Sequence, residues 1–253
     1  MELRGKAALV TGSATGIGRA TALALARRGT DVLINYTRSE TEAKATVEDV
    51  QALGRRALLV RGDVSDDASA RAMVAACERD LGRLDVLVNC AGTTHFAPSE
   101  DLEAITPEIW DRIFDVNVRG TFFVTRAAAP LLKRSGRGAV VNLASIAGLR
   151  PAAQAVPYAA SKAAIVNMTL SLARLLAPEV RVNAVAPGWM EGRWMEAALG
   201  PDYDRLLKRR GERTPLGRVA TPDNVAQSIV SLVADNDFVT GQVVVIDGGF
   251  SLL

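Results

Sequence analysis

Residues 6–11 (KAALVT) form a short apolar run that passes directly into Gly12-Ser13-Ala14-Thr15-Gly16-Ile17-Gly18, and residues 19–28 continue as an Ala/Leu-rich helical stretch. A buried strand, a glycine turn and a helix in immediate succession commit the start of the chain to an α/β unit. Glycine allows the backbone to turn with positive φ and to approach a ligand closely. The first turn of the helix offers N–H groups without intrahelical acceptors and a partial positive charge. The three parts together suit a nucleotide phosphate. The spacing is G-x-x-x-G-x-G and not G-x-G-x-x-G. The same glycines would also serve a turn that only packs a helix on a sheet.

The rest of the chain repeats this alternation. Apolar runs at 6–11, 31–36, 57–61, 84–89, 139–143, 180–186 and 242–246 are rich in Val, Leu and Ile and lack polar alternation. That pattern suits parallel strands covered on both faces. Thr106-Pro107-Glu108 and Thr221-Pro222-Asp223 each set a capping residue before a proline at the first helical position. Ser65-Asp66-Asp67 sets a capping hydroxyl before two carboxylates. Helical stretches are expected over 110–133 and 158–176. The expectation is one α/β domain spanning 1–253, a doubly wound parallel sheet of about seven strands with helices on both faces. Ligands of such sheets bind at the carboxyl ends of the strands, where Gly12, Asp63, Asn89, Ser145 and Pro187 fall.

Tyr158 and Lys162 lie four residues apart, with Ser145 thirteen residues upstream. On a helix, positions i and i+4 share a face. A cation there is expected to favour the phenolate and lower the pKa of Tyr158 from about 10. Such a tyrosine can exchange a proton with a reacting oxygen.

These elements together resemble the short-chain dehydrogenase/reductase family, in general outline its 3-oxoacyl-acyl-carrier-protein reductases. Thr11-Gly12-x-x-x-Gly16-Ile17-Gly18 matches the family's cofactor signature, and Asn89-Cys90-Ala91-Gly92 matches its N-N-A-G element with Cys90 in place of an asparagine. Asn117, Ser145, Tyr158 and Lys162 match its catalytic tetrad in order and spacing, and Pro187-Gly188 matches the turn after its sixth strand. The resemblance implies a Rossmann-like NAD(P)-binding domain and hydride transfer between nicotinamide and a carbonyl or secondary alcohol carbon. It implies that Tyr158 exchanges the proton, Ser145 binds the same oxygen, Lys162 holds the nicotinamide ribose and Asn117 supports a proton-carrying water. Asn117 would equally suit a helix kink or a bond to a nearby carbonyl. The resemblance also implies a homo-oligomer, a tetramer, paired through the helices at 110–133 and 158–176.

At the end of the second strand, Tyr36-Thr37-Arg38 stands where a carboxylate would select NAD. No carboxylate repels a 2′-phosphate there and Arg38 can pair with one, so NADP(H) is expected over NAD(H). A solvated loop arginine is the alternative. Asp63-Val64 resembles the family's adenine contact. Ser13, Thr15 and Ile17 complete the phosphate turn, with Ala91 and Gly92 facing it. The family turn often reads Pro-Gly-x-x-x-Thr, but Gly192 stands at the threonine's place and puts cofactor affinity or loop order in doubt. The segment 189–215 is expected to be a substrate lid, with Trp189 and Trp194 covering a ligand, or packing locally or at a subunit contact. His95 and residues 93–98 and 147–156 are expected to line the pocket.

Composition narrows the function. The net charge of +2 supplies no global drive toward nucleic acid or an anionic membrane. Two cysteines and one histidine cannot build a disulfide framework, a cysteine zinc site, a histidine metal cluster or a Ser-His-Asp triad. No signal peptide is expected, because the stretch 1–5 before the first strand is short and polar, and no apolar run reaches the roughly 20 residues of a spanning helix. A reducing, cytoplasmic setting and a small-molecule partner are expected. A regulator or scaffold that binds NADP(H) without turnover is the competing class.

Overall fold

The computed structural model describes residues 1–96, 101–151 and 155–252. Among them the apolar runs form strands β1 (Ala7–Val10), β2 (Asp31–Tyr36), β3 (Ala57–Arg61), β4 (Val86–Asn89), β5 (Gly138–Leu143), β6 (Val180–Pro187) and β7 (Val243–Ile246). They join in one parallel sheet of order β3-β2-β1-β4-β5-β6-β7. The order reverses between β1 and β4, which opens a crevice beyond their carboxyl ends. The helices are α1 (Gly16–Arg27), α2 (Glu40–Ala52), α3 (Asp67–Ala76), α4 (Pro107–Phe114), α5 (Thr121–Arg134), α6 (Val156–Leu176), α7 (Arg193–Leu199), α8 (Tyr203–Arg213) and α9 (Pro222–Ala234).

Both faces of the sheet are covered, which is why its strands show no polar alternation. Ala8 and Val10 of β1 face a layer with Leu23 of α1 and Val225 and Ile229 of α9. Leu9 faces the opposite layer, with Met73 of α3, Leu132 of α5 and Leu172 of α6. Each fully buried Leu or Ile side chain contributes about 1.5–3 kcal/mol over its exposed state. The sheet's amino-terminal edge carries buried charge. Asp31 pairs with Arg55 and Arg56, and Asp85 with Lys6 and Arg83. These ion pairs stand at the end opposite the crevice.

Two expectations about helices need correction. The stretch 110–133 is not one α-helix: Asp115–Gly120 forms a π turn between α4 and α5. Tertiary contacts explain it. Gly120 presses on Val64, where a Cβ would stand 2.7 Å from Cγ2, and Asn117 turns inward to bond two other segments. Apolar periodicity carries neither contact. Asp66, not Ser65, caps α3 by accepting from the Ser69 amide at 2.9 Å. The Ser65 hydroxyl donates instead to Asp63, at 2.6 Å. At α9, Thr221 and Asn224 form a reciprocal capping box.

A polar ladder crosses the interior beneath the crevice. Asn89 donates to Thr125 and to Asn142, each at 2.9 Å, and Asn142 donates to Thr169 at 3.0 Å. It ties β4 and β5 to α5 and α6. No helix among the described residues is long and apolar enough to cross a membrane.

Candidate active site

The glycine turn is held by backbone proximity. Gly12 has φ +63°, and a Cβ on it would stand 2.9 Å from the Ala91 Cα. A Cβ on Gly18 would stand 2.4 Å from the Gly12 oxygen. Only glycine lets the turns after β1 and β4 touch and lets α1 start against its own turn. Gly16, at φ +54°, faces open space. Thr15 is the N-cap of α1 but makes no side-chain cap, and no carboxylate occupies the first turn. The free N–H groups and positive helix end are thus left for an outside anion. Ser13 faces inward, donating to the Val10 oxygen at 2.7 Å, and Ile17 packs into the core. This turn fits the phosphates of a dinucleotide.

Two residues brace the turn: Asn35, which sequence reasoning missed, and Thr11, which it named only as the start of the cofactor signature. Asn35, buried in β2, accepts from the Gly12 amide at 3.1 Å and donates to the Gly62 oxygen at 3.1 Å. Thr11 accepts from the Cys90 and Ala91 amides, both at 3.0 Å. An asparagine inside the apolar run DVLINY was the available signal, because buried amides need several partners.

Ser145, Tyr158, Lys162 and Asn117 converge at the carboxyl ends of β4 and β5. Ser145 lies close enough to the Tyr158 phenol to favour its ionised form. Lys162 Nζ donates to the Leu143 oxygen at 2.6 Å and lies 5.5 Å from the Tyr158 ring centroid. Asn117 accepts from the Thr93 amide at 2.8 Å and donates to the Thr93 oxygen and to the Ser161 hydroxyl. It pins the 93 loop to α6. A Cβ on Gly92 would stand 3.4 Å from Asn117 Oδ1 and 3.8 Å from both Lys162 Nζ and the Trp194 ring. Gly92 is therefore the point around which the cluster closes.

The electrostatics reverse the direction expected for Tyr158. Burial pushes its phenol up to about 12, against the hydrogen bond from Ser145 and together with the Cys90 thiol. Burial pulls the Lys162 ammonium down to about 8, opposed by Cys90. Burial also pushes Cys90 up to about 12. The physical reason is desolvation, which penalises every charged form in this cluster. The Lys162 charge sits beside the ring and against a carbonyl, so it does not offset the loss of water at the phenol oxygen.

The remaining predicted residues divide into two groups. Tyr36 is buried, the Thr37 hydroxyl donates to the Gly62 oxygen at 3.1 Å, and Arg38 is exposed with no side-chain partner among the described residues. Pro187 accepts from the Ser145 hydroxyl at 3.5 Å, and Gly188 packs tightly on Asp247. Those residues border the crevice. Asp63, by contrast, spends its oxygens on Ser65 and on Arg112 of α4, at 3.2 Å. Burial would raise its pKa, but the Ser65 bonds and the Arg112 charge outweigh it and hold the carboxyl below the usual range. Val64 is packed on Gly120, and the Asn89 side chain belongs to the buried ladder. The Asn89 amide nitrogen is spent on the ladder, whereas its Oδ1 is buried without a hydrogen-bond partner among the described residues.

The segment after β6 contains α7, a single 3-10 turn and α8. The Trp194 ring meets Tyr158 edge-on at 6.3 Å between centroids, and Arg193 bridges to Glu42 of α2 at 2.7 Å. Trp189 lies under the Arg210 guanidinium at 4.4 Å. His95 and Phe96 are exposed, while 97–98 and 152–154 of the expected pocket lining lie outside the described residues. Gly192 has φ +129°, and its amide donates to the Tyr203 hydroxyl at 2.9 Å. A glycine there serves the backbone, since L side chains rarely adopt that φ.

Gly192→Thr is expected to destabilise the entry to α7, by about 1–3 kcal/mol in denaturant unfolding. Tighter cofactor binding at unchanged stability would refute this account of the glycine. The lysine yields a pH test. Lys162 has a folded-state pKa of about 8, below its ordinary 10.5. Between these values the unfolded chain binds more protons, so stability rises with pH. Unfolding free energy of the protein without cofactor is expected to climb across pH 8–10.5 relative to Lys162→Met, by up to about 3 kcal/mol. Parallel profiles for the two proteins would show that Lys162 is not desolvated.

Comparison with known proteins agrees with this geometry. Residues 12–251 match a family model described as enoyl-(acyl carrier protein) reductase. A protein of Streptomyces violaceoruber that carries the name granaticin polyketide synthase ketoacyl reductase 2 is 44% identical over 246 residues, 97% of this chain and 96% of that one. A structure from Burkholderia xenovorans described as a short-chain dehydrogenase/reductase is 37% identical with a TM-score of 0.91, covering 98% of both chains. A gluconate 5-dehydrogenase from Burkholderia cenocepacia, solved with NADP and tartrate, is 32% identical with a TM-score of 0.89, covering 100% of this chain and 98% of that one. With its Rossmann-like sheet, glycine turn and tyrosine–lysine pair, this chain belongs to the short-chain dehydrogenase/reductase family of NAD(P)-dependent oxidoreductases.

Proposed function

We propose that this protein interconverts a small-molecule carbonyl and its secondary alcohol using NADP(H), with Tyr158 as the general acid and base. One observation carries the reading. The Tyr158 phenol, the Ser145 hydroxyl and Lys162 converge at the crevice, with Ser145 close enough to favour the phenolate and Lys162 Nζ 5.5 Å from the Tyr158 ring centroid. Two hydroxyls so placed can address one substrate oxygen. A phenol with a pKa of about 12 stays protonated through the neutral range, yet is far more acidic than an alcohol. It suits proton donation to a carbonyl oxygen that is gaining charge. Ser145 donates to the same oxygen and stabilises that charge. In oxidation Tyr158 takes the proton back, a direction favoured by rising pH.

The bound cofactor supplies or accepts the hydride. Gly12, Thr15, Gly16 and the first turn of α1 would hold its phosphates. Thr37 and Arg38 would hold the adenosine 2′-phosphate, and the backbone of Ala91 and Gly92 would border the nicotinamide half. Lys162 would hold the nicotinamide ribose, and Pro187-Gly188 would face the ring. Segment 189–215 acts as the lid, with Trp189 and Trp194 against the substrate and His95 at its margin. Asn117 orients the 93 loop against α6. Exposed Phe122, Leu170 and Leu175 on α5 and α6 support pairing with symmetry mates in a homotetramer. Both cysteines are free thiols, which suits a reducing cytoplasm.

Titration with NADPH and NADH, then turnover on a panel of ketones, β-ketoacyl thioesters and sugars, tests the reading; tight binding without any turnover would overturn it. Tyr158→Phe is expected to cut kcat by about 10²–10⁴ with cofactor affinity nearly unchanged. Unchanged turnover would remove Tyr158 from the mechanism. Arg38→Ala is expected to weaken NADPH by about 10–100-fold and to spare NADH. Equal losses would mean that Arg38 does not meet a 2′-phosphate.

A further inference from the structure

Arg210, on α8 of the lid segment, makes an unusual use of its guanidinium. Its Cζ lies 4.4 Å from the Trp189 ring centroid and 6.0 Å from that of Phe250. No hydrogen bond or ion pair of its side chain is found among the described residues. The neighbouring charges are of its own sign. Burial, then Arg213 and Arg209, pull its pKa below the ordinary arginine value. Stacking occupies the faces of a guanidinium and leaves the in-plane N–H donors at its edge. Those donors form a fork that matches the two oxygens of a carboxylate or phosphate. A half-buried arginine set against aromatic rings, with no side-chain hydrogen bond or ion pair among the described residues, is arranged for an oxyanion brought from outside.

Its position relates that oxyanion to the reaction. Trp189 follows Pro187-Gly188, and the Pro187 oxygen accepts from the Ser145 hydroxyl at 3.5 Å. Arg210 therefore packs on the residue that continues the Pro187-Gly188 turn, which borders the crevice. On the far side, Phe250 is anchored through its backbone oxygen, which accepts from Arg150 at 3.3 Å. The carboxyl-terminal turn and the lid thus meet at the Arg210 fork. Resting on the carbonyl reading of the site, we propose that Arg210 is a specificity-determining residue that binds a carboxylate or phosphate ester at the end of the substrate remote from its carbonyl. Trp189 and Phe250 hold the fork in place, and the fork selects anionic substrates over neutral ones of similar shape.

Matched ketone pairs test this. 4-Oxopentanoate is compared with 2-pentanone for the carboxylate, and dihydroxyacetone phosphate with dihydroxyacetone for the phosphate. The wild-type protein is expected to favour the anionic member of at least one pair by about 10–100-fold in kcat/KM, mostly through KM. Arg210→Met is expected to abolish that preference while changing kcat/KM for the neutral member by less than about threefold. The pair that shows the effect identifies the oxyanion. Arg210→Gln repeats the comparison, so a folding defect in one variant does not decide it. Equal preference in the wild type, or equal losses on both members, would overturn the proposal and leave Arg210 as a prop for Trp189. If no ketone is reduced, the carbonyl reading itself has failed, and calorimetric titration with 4-oxopentanoate and glycerol phosphate decides the anion site separately. Saturable binding that Arg210→Met removes supports the site, and its absence in the wild type overturns it.

Discussion

The structure depends on the contact between the turns that leave β1 and β4. A side chain on Gly12 would stand inside normal contact distance of Ala91, so these two backbones meet with no side chain between them. Thr11 accepts both amides of the second turn, and Asn35 accepts the amide of Gly12. This contact fixes the switch point of a parallel sheet, and the crevice opens beyond it. The helix end that suits phosphates and the β4–β5 ends that carry the reactive cluster are neighbours because these two turns touch.

A sheet buried on both faces leaves few places for polar groups. In this protein they gather at three levels. Ion pairs of Asp31 and Asp85 secure the amino-terminal edge, the ladder through Asn89 and Asn142 crosses the interior, and Ser145, Tyr158 and Lys162 emerge at the carboxyl ends. The ladder is fully within the protein and ties α5 and α6 to the strands that carry the cluster. The reactive groups feel the same low-dielectric surroundings. Burial raises the tyrosine and cysteine pKa values and lowers that of the lysine. The segment after β6 adds to the burial through Trp194, set edge-on against Tyr158. The Tyr158 phenol is accordingly protonated at neutral pH.

Several failures of sequence reading share one cause. Ser65 looked like a helix cap, but Asp63 competes for its hydroxyl and Asp66 takes the cap. The helical run through 110–133 looked continuous, but the contact of Gly120 with Val64 and the inward bonds of Asn117 impose a π turn. The i,i+4 spacing of Tyr158 and Lys162 correctly put both on one helix face, yet it gave the wrong direction for the phenol. Spacing reports proximity but says nothing about lost water. Ser65 lost the cap to its sequence neighbours Asp63 and Asp66, whereas in the other cases the deciding surroundings lie far away in the chain.

The sequence by itself determined the strands, the doubly wound class, the glycine turn and which side chains gather at the carboxyl ends of β4 and β5. These rest on local properties: apolar runs without alternation, glycines at a strand–helix junction, and side chains at fixed helical spacing. Only the tertiary structure decided what each polar group is occupied with. It gave Asn35 and Thr11 their bracing roles, gave Gly192 its reason in a backbone angle, and set the charge states of Tyr158 and Lys162. It also left Arg210 stacked between distant aromatics with its donors unspent. Hydrogen-bond satisfaction and desolvation depend on which residues surround a group in space, and the chain brings those residues together only when it folds.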